Sequence, residues 1–141
     1  MVTLADVNVL LAAFRRDHVH HVRCHAWLDN EINGGARFGV APQVLSSFVR
    51  IVTNARAFAK PSALDEALAF ADTLLDAPDS VVVSPGPGHW SIFAGLARTA
   101  KAKGDIVADA WFAALAIEWG CTWVTLDRDY ERFKPLVVRE P

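Results

Sequence analysis

Val2-Thr3-Leu4-Ala5-Asp6-Val7-Asn8-Val9-Leu10-Leu11-Ala12-Ala13-Phe14 decides the fold. Residues 2–5 read as a short buried strand, and the chain passes through Asp6 into a segment whose apolar density is that of a helix, closed by Arg15, Arg16 and Asp17. The alternation continues outward. A second helix is expected over about 19–32, ending at Asn33-Gly34-Gly35, then a weak strand over 38–40 and a helix from Pro42 through Thr53. Pro61-Ser62 opens the next helix, with Ser62 as N-cap and Asp65-Glu66 in the first turn, running to about Asp76. Strands follow over 81–83, 122–126 and 136–138, with helices over 89–103 and 106–119 stopped by Gly104 and Gly120. Strands alternating with helices predict an α/β fold built on a parallel sheet covered on both faces.

Composition bounds the possibilities. The 141 residues favour one domain, 1–141, and 52% hydrophobic against 21% charged residues excludes a disordered tail. Fourteen Lys+Arg against sixteen Asp+Glu give a net charge of −2, so any nucleic-acid site has to be a local basic patch beside an acidic centre. Cys24 and Cys121 are too few for a disulfide framework and lack the spacing of a zinc site. The N-terminus lacks a basic leading region, and Pro85-Gly86-Pro87-Gly88 breaks the uncharged span 80–97, so a soluble cytoplasmic chain is expected.

The chemistry is marked by where the carboxylates fall. Asp6 is the only ionisable side chain in 1–14, and Asp109 the only one in 106–117, a segment apolar enough to be buried almost all round. Asp127 follows directly on the strand over 122–126. An acid in apolar surroundings is costly unless paired, hydrogen-bonded or holding a metal. Each also has a plain structural reading: Asp6 or Asn8 as a helix cap, Asp109 as a complement to a helix dipole, Asp127 as a turn residue. Their coincidence near predicted sheet ends, where open α/β sheets bind ligands, favours function. Three converging acids repel one another, and a hard divalent cation, Mg²⁺ or Mn²⁺, relieves this. Such an ion binds phosphate and activates water, so metal-assisted phosphodiester hydrolysis is the inferred chemistry.

Several motifs carry a family resemblance. Asp6-Val7-Asn8-Val9-Leu10-Leu11 resembles the opening motif of PIN-domain nucleases. Ala108-Asp109-Ala110 with Ala113-Ala114-Leu115-Ala116 is similar to their third acidic motif, and Thr125-Leu126-Asp127-Arg128-Asp129-Tyr130 with Phe133 to the fourth. Phe48-Val49-Arg50-Ile51-Val52-Thr53-Asn54 matches a helix of VapC-type toxins. The resemblance covers nearly the whole chain. It implies a three-layer α/β/α sandwich and an Mg²⁺- or Mn²⁺-dependent endoribonuclease, the toxin of a toxin–antitoxin pair. It further implies a homodimer inhibited by a VapB-like antitoxin. By position, Asp6 and Asp109 would be the principal metal ligands. Asp127 would complete the cluster directly or through water, with Asp129 its neighbour and Asn8 orienting Asp6.

One departure stands out. The family pattern has a Glu just before Phe48-Val49-Arg50, and Ser47 is there instead. A hydroxyl can hold a water but carries no charge, which predicts weaker metal binding or one ion in place of two. Asp105, four residues before Asp109, either restores charge on that helix face or caps the helix. Ser47 also leaves open a second reading, a PIN fold that binds RNA or a protein without cutting. A phosphatase forming an aspartyl-phosphate is disfavoured, because Asn8 stands where its second Asp belongs.

Other signals weigh less. His18, His20, His21 and His25 crowd near Cys24 without an evident further metal ligand, and an exposed histidine-rich helix start explains them. Gly86-Pro87-Gly88 lacks the amide and the third glycine of a dinucleotide loop. Arg15, Arg16, Arg50, Arg128 and Arg132 are candidates for RNA phosphates, Arg50 and Arg128 foremost. The five tryptophans read mostly as core, with Trp27 and Trp90 available to a dimer or antitoxin interface.

Overall fold

A computed structural model describes residues 2–141. Five short strands, β1 (Thr3–Ala5), β2 (Phe38–Val40), β3 (Ser80–Val82), β4 (Thr122–Val124) and β5 (Val137–Arg139), form one sheet in the order β3-β2-β1-β4-β5. Every neighbouring pair is parallel. Parallel neighbours need long crossovers. These carry α1 (Val7–Phe14), α2 (His21–Asn33), α3 (Pro42–Val52), α4 (Leu64–Asp76), α5 (His89–Thr99) and α6 (Asp105–Trp119), with a 3-10 turn over Arg128–Arg132 before β5. The architecture is the expected three-layer α/β/α sandwich.

β1 is the middle strand, with Leu4 between Gly39 of β2 and Trp123 of β4. Both Leu4 and Trp123 are buried, and β2 and β4 are buried along their whole length, which is why these strands read as apolar runs without alternation. Gly39 is required by close approach: a Cβ there would stand 3.1 Å from the Thr3 carbonyl oxygen and 3.0 Å from Val83 Cγ2. From β1 the sheet grows to one side through β2 and β3 and to the other through β4 and β5. The order therefore reverses between β1 and β4, and their carboxyl ends open onto the crevice where such sheets bind ligands.

Several boundaries differ from the sequence reading. The weak strand over 38–40 is β2, fully buried. Ser62 does not cap α4, which starts at Leu64 behind Ala63; its hydroxyl instead accepts a hydrogen bond from Arg15. α5 stops at Thr99 because Lys101 turns left-handed, at φ 51°, and the Ala102 amide folds back onto the Ala97 carbonyl. β4 ends at Val124, before 126, because the Leu126 amide turns to the Asn8 side chain. α6 is not buried all round: Val107 and Ala108 are exposed, and this end of the helix lines a cleft. Of the tryptophans only Trp123 is fully buried, while Trp90 and Trp119 are exposed. Among the described residues no helix is long and apolar enough to cross a membrane.

Candidate functional site

Asp6 sits where β1 hands over to α1. It is the N-cap of α1, its Oδ1 accepting from the Val7 amide at 2.6 Å, so the plain capping role is real. Capping occupies only one oxygen. Oδ2 accepts from the Thr125 hydroxyl at 2.6 Å, and Asp6 is 5% exposed.

Thr125, one residue past β4, ties the site together. Its hydroxyl donates to Asp6 and accepts from Asn8 Nδ2 at 3.2 Å and from the Asp127 amide at 3.0 Å, which uses its one donor and both acceptor positions. Asn8 Oδ1 in turn accepts from the Leu126 amide. Asn8 thus acts on Asp6 through Thr125. Asp127 caps the following 3-10 turn through the Asp129 amide at 2.9 Å.

Asp109 approaches from α6, where its Oδ1 accepts from the Tyr130 hydroxyl at 3.1 Å. Burial, then the neighbouring carboxylates, hold the Tyr130 phenol far above its ordinary range, so it stays protonated and can only donate its proton to Asp109. Burial pushes the Asp6 carboxyl up to about 6, against the Thr125 and Val7 hydrogen bonds, and the Asp109 and Asp127 charges add to the rise. Asp109 is raised as well, first by burial, with Asp127 adding. Asp6 thus feels both other acids, and Asp109 feels Asp127.

All three line one open cleft of about 690 Å³, together with Asn8, Ser47 and Arg50. Gln43, Ser47 and Arg50 reach it from one face of α3, while Val44, Leu45, Phe48 and Val52 bury the other. Phe93, Trp111 and Tyr130 complete its walls.

Other candidates lie outside this cleft. Asp105 is exposed in the first turn of α6, behind Gly104 at the cap position. Asp129 is 74% exposed and faces Arg132 at 3.6 Å. Arg128 pairs with Glu140 at 3.0 Å and lines a separate depression. Arg15 is held by Asp17 and lies over the Phe58 ring. The Gly86 and Gly88 amides both donate to the Glu118 carboxylate, at 2.7 and 2.8 Å, so that loop is filled from within the chain. His21 contacts the Ala12 carbonyl, and among the described residues no three His, Cys, Asp or Glu side chains are placed to grip one ion together.

The sequence alone gives Gln43 and Phe93 no role, places Thr125 and Tyr130 in a motif without assigning them a task, and reads Trp111 as core, whereas it lines the cleft. For Thr125 the signal was present, a hydroxyl at the carboxyl end of a strand two residues before an acid. For Gln43, Phe93 and Trp111 there was none, because which face of a helix meets a cleft is settled only by packing.

The comparisons decide the family. A model of the PIN domain matches residues 3–135. Ribonuclease VapC25 of Mycobacterium tuberculosis is 42% identical over 130 residues, 92% of each chain, and VapC ribonuclease Mb2897 of Mycobacterium bovis 39% identical over 136 residues, 96% of this chain and 92% of its own. This chain belongs to the PIN-domain VapC ribonuclease family. Solved structures agree on the fold. VapBC2 from Rickettsia felis, bound to a promoter DNA fragment, superposes with a TM-score of 0.71 at 15% identity, covering 99% of this chain and 98% of the other. VapBC-1 from nontypeable Haemophilus influenzae gives 0.70 at 14% identity with the same coverage.

The donor set of this PIN domain fits a hard cation. The three acids offer carboxylate oxygens, burial with the neighbouring acids raises Asp6 and Asp109, and no ion pair among the described residues reaches any of the three. An open set that leaves room for water suits Mg²⁺ better than a closed cage does.

Proposed function

We propose that this PIN domain is the ribonuclease toxin of a VapBC-type pair, cutting RNA internally with Mg²⁺ or Mn²⁺ in the cleft of Asp6, Asp109 and Asp127. The observation that carries the reading is that three acids, distant in sequence, line one cleft where burial already raises two of them. A divalent cation bound there supplies Lewis acidity toward the scissile phosphate and the attacking water. The chain's own residues do the rest. Asp6 and Asp109 would hold the cation, and Asp127 would complete the acidic lining beside them. Thr125 and Asn8 fix Asp6 and the Asp127 backbone, and Tyr130 fixes Asp109. Ser47 offers a neutral hydroxyl where the family pattern has Glu, and Arg50 faces the RNA phosphates.

The partners follow from the relatives. The solved neighbours are VapBC assemblies, which supports a VapB-like antitoxin for this chain. An apolar groove lined by Leu45, Val49, Leu68 and Leu75 reaches Arg50 at the cleft and gives such an antitoxin a way to the acids. The toxin is proposed to work as a homodimer in the cytoplasm, where its RNA is.

The test is mutational. Asp6→Asn and Asp109→Asn, each folded by circular dichroism, are expected to lose RNA cleavage beyond the roughly 10–100-fold typical of a supporting partner. Full cleavage by either variant overturns its assignment. Ser47 favours one other reading, binding without cleavage. That reading gains if the unaltered chain binds RNA, cuts none, and shows no rise in melting temperature with Mg²⁺ or Mn²⁺.

A further inference from the structure

α5 and α6 bring four aromatic rings together on one side of the acid cleft. His89 lies 4.1 Å from Trp111 between ring centroids, Phe93 lies 5.1 Å from it and Trp90 6.3 Å, with interplanar angles of 69°, 70° and 74°. Trp111 is pinned at both ends. Its indole Nε1 donates to Gln43 Oε1 at 2.6 Å, and its carbonyl takes the Nε2 of the buried His89 at 2.9 Å. Trp111 and Phe93 line the cleft with the acids, Trp111 only two residues after Asp109 on α6. Trp90, packed on Phe93 at 5.4 Å, is 67% exposed.

A rigid aromatic wall next to oxygen ligands for a cation calls for a ligand with two ends, one anionic and one flat and apolar. A nucleotide is such a ligand. We propose that Trp111 and Phe93, extended by Trp90, form a stacking platform for an unpaired base next to the scissile phosphate. The proposal rests on the ribonuclease reading and adds to it the side chains that take a base. Bases of a duplex are already stacked on one another, whereas a splayed base offers its face to an aromatic side chain. Edge-on packing holds Trp111 in place before RNA arrives, which spares the ordering cost of a mobile ring. A protein partner on Trp90 would leave unexplained why Phe93 and Trp111 line the same cleft as the acids.

The experiment uses the full chain carrying Asp6→Asn, so that bound RNA is not cut, and reads the anisotropy of a labelled short oligouridylate in Mg²⁺. Trp111→Ala is expected to weaken binding about tenfold, in the range of one lost base stack. Trp111→Phe should recover most of it, and Trp90→Ala should cost less. The same oligomer made abasic should bind the intact platform as weakly as the ordinary oligomer binds the Trp111→Ala variant. Equal binding of abasic and ordinary oligomers overturns the proposal, as does equal binding of duplex RNA. A Trp90→Ala change that alters the sedimentation of the chain but not its RNA affinity assigns that ring to a protein contact and removes it from the platform. Should Trp111→Ala fail to fold, the abasic comparison still decides, since it alters no residue. The two readings separate cleanly: a chain that cuts RNA but ignores the bases loses only the platform, and one that neither binds nor cuts RNA loses both.

Discussion

Two groups of carboxylates in this molecule are treated in opposite ways. On the outer surface, Glu140 takes Arg23 at 3.1 Å and Arg128 at 3.0 Å, Asp17 takes Arg15 at 2.6 Å, and Asp129 takes Arg132 at 3.6 Å. The hydrogen bonds and charges of those arginines pull Glu140 and Asp17 below their ordinary values. In the cleft the direction reverses. Asp6 and Asp109 rise, and among the described residues no ion pair reaches either of them or Asp127. With fourteen Lys and Arg in the chain, the difference is one of placement. Guanidinium groups neutralise the surface acids, and the cleft leaves its acids without such a partner, as the proposed cation from solution requires.

The strongest way to break that contrast is to loosen the cleft without touching an acid. Thr125→Val keeps the shape of a side chain that is 1% exposed while removing the donor to Asp6 and the acceptor for Asn8 and the Asp127 amide. Mn²⁺ affinity, read by titration calorimetry, is expected to fall about 10–100-fold, with RNA cleavage falling alongside it. The buried groups left unpaired should cost roughly 1–3 kcal/mol of stability. Unchanged Mn²⁺ affinity would mean that the hydroxyl does not hold the cluster.

A smaller effect tests the electrostatics directly. Asp6 has a folded value of about 6 against an ordinary value of 3.8, so between those pH values the metal-free folded chain holds a proton that the unfolded chain has released. Its contribution to stability is complete below about pH 4 and is lost as pH rises through about 6, roughly 3 kcal/mol in all. Glu140 and Asp17 slope the other way, because their depressed values favour the folded state at higher pH. The Asp6 share is therefore the difference between the unaltered chain and Asp6→Asn in thermal melts across pH 4–7.5. Saturating Mn²⁺ should flatten it, as the cation takes the proton's place. Parallel pH profiles for the two metal-free proteins would show that Asp6 is not strained by its burial.

What the sequence made legible follows from what is local. The strand-to-helix passage through Asp6 is a matter of successive residues, so its strand, its cap and its position at a sheet end could all be read. Asp109 and Asp127 stood out because lone acids in apolar or strand-end settings are costly. Thr125 and Tyr130 lay inside a motif that was recognised, yet their tasks depend on atoms 119 and 21 residues away in sequence, Asp6 Oδ2 and Asp109 Oδ1. α6 was misjudged because apolar density says that a helix wants burial, without saying that a cleft opens at one end. Trp119, read as core, is exposed for the same reason, since composition gives no face, whereas Trp90, read as available to an interface, is exposed as that reading requires. Ser62 was a sound cap by type, and the Arg15 guanidinium claimed its hydroxyl instead.

The smallest expected effect separates two arginines that look alike in sequence. Arg50 lines the acid cleft, whereas Arg128 has a side chain 81% exposed and is turned to Glu140. A phosphate contact reveals itself through salt: removing one weakens binding across sequences and lowers the salt slope by about one. Arg50→Ala is therefore expected to raise the KM for RNA and reduce its dependence on salt concentration. Arg128→Ala should leave both unchanged, and the melting temperature too, because an ion pair surrounded by water is screened and costs entropy to hold. If Arg128→Ala carried the salt effect and Arg50→Ala did not, the RNA would run along the β5 edge of the molecule, and the guanidinium on Glu140 would belong to the substrate path in place of the one in the cleft.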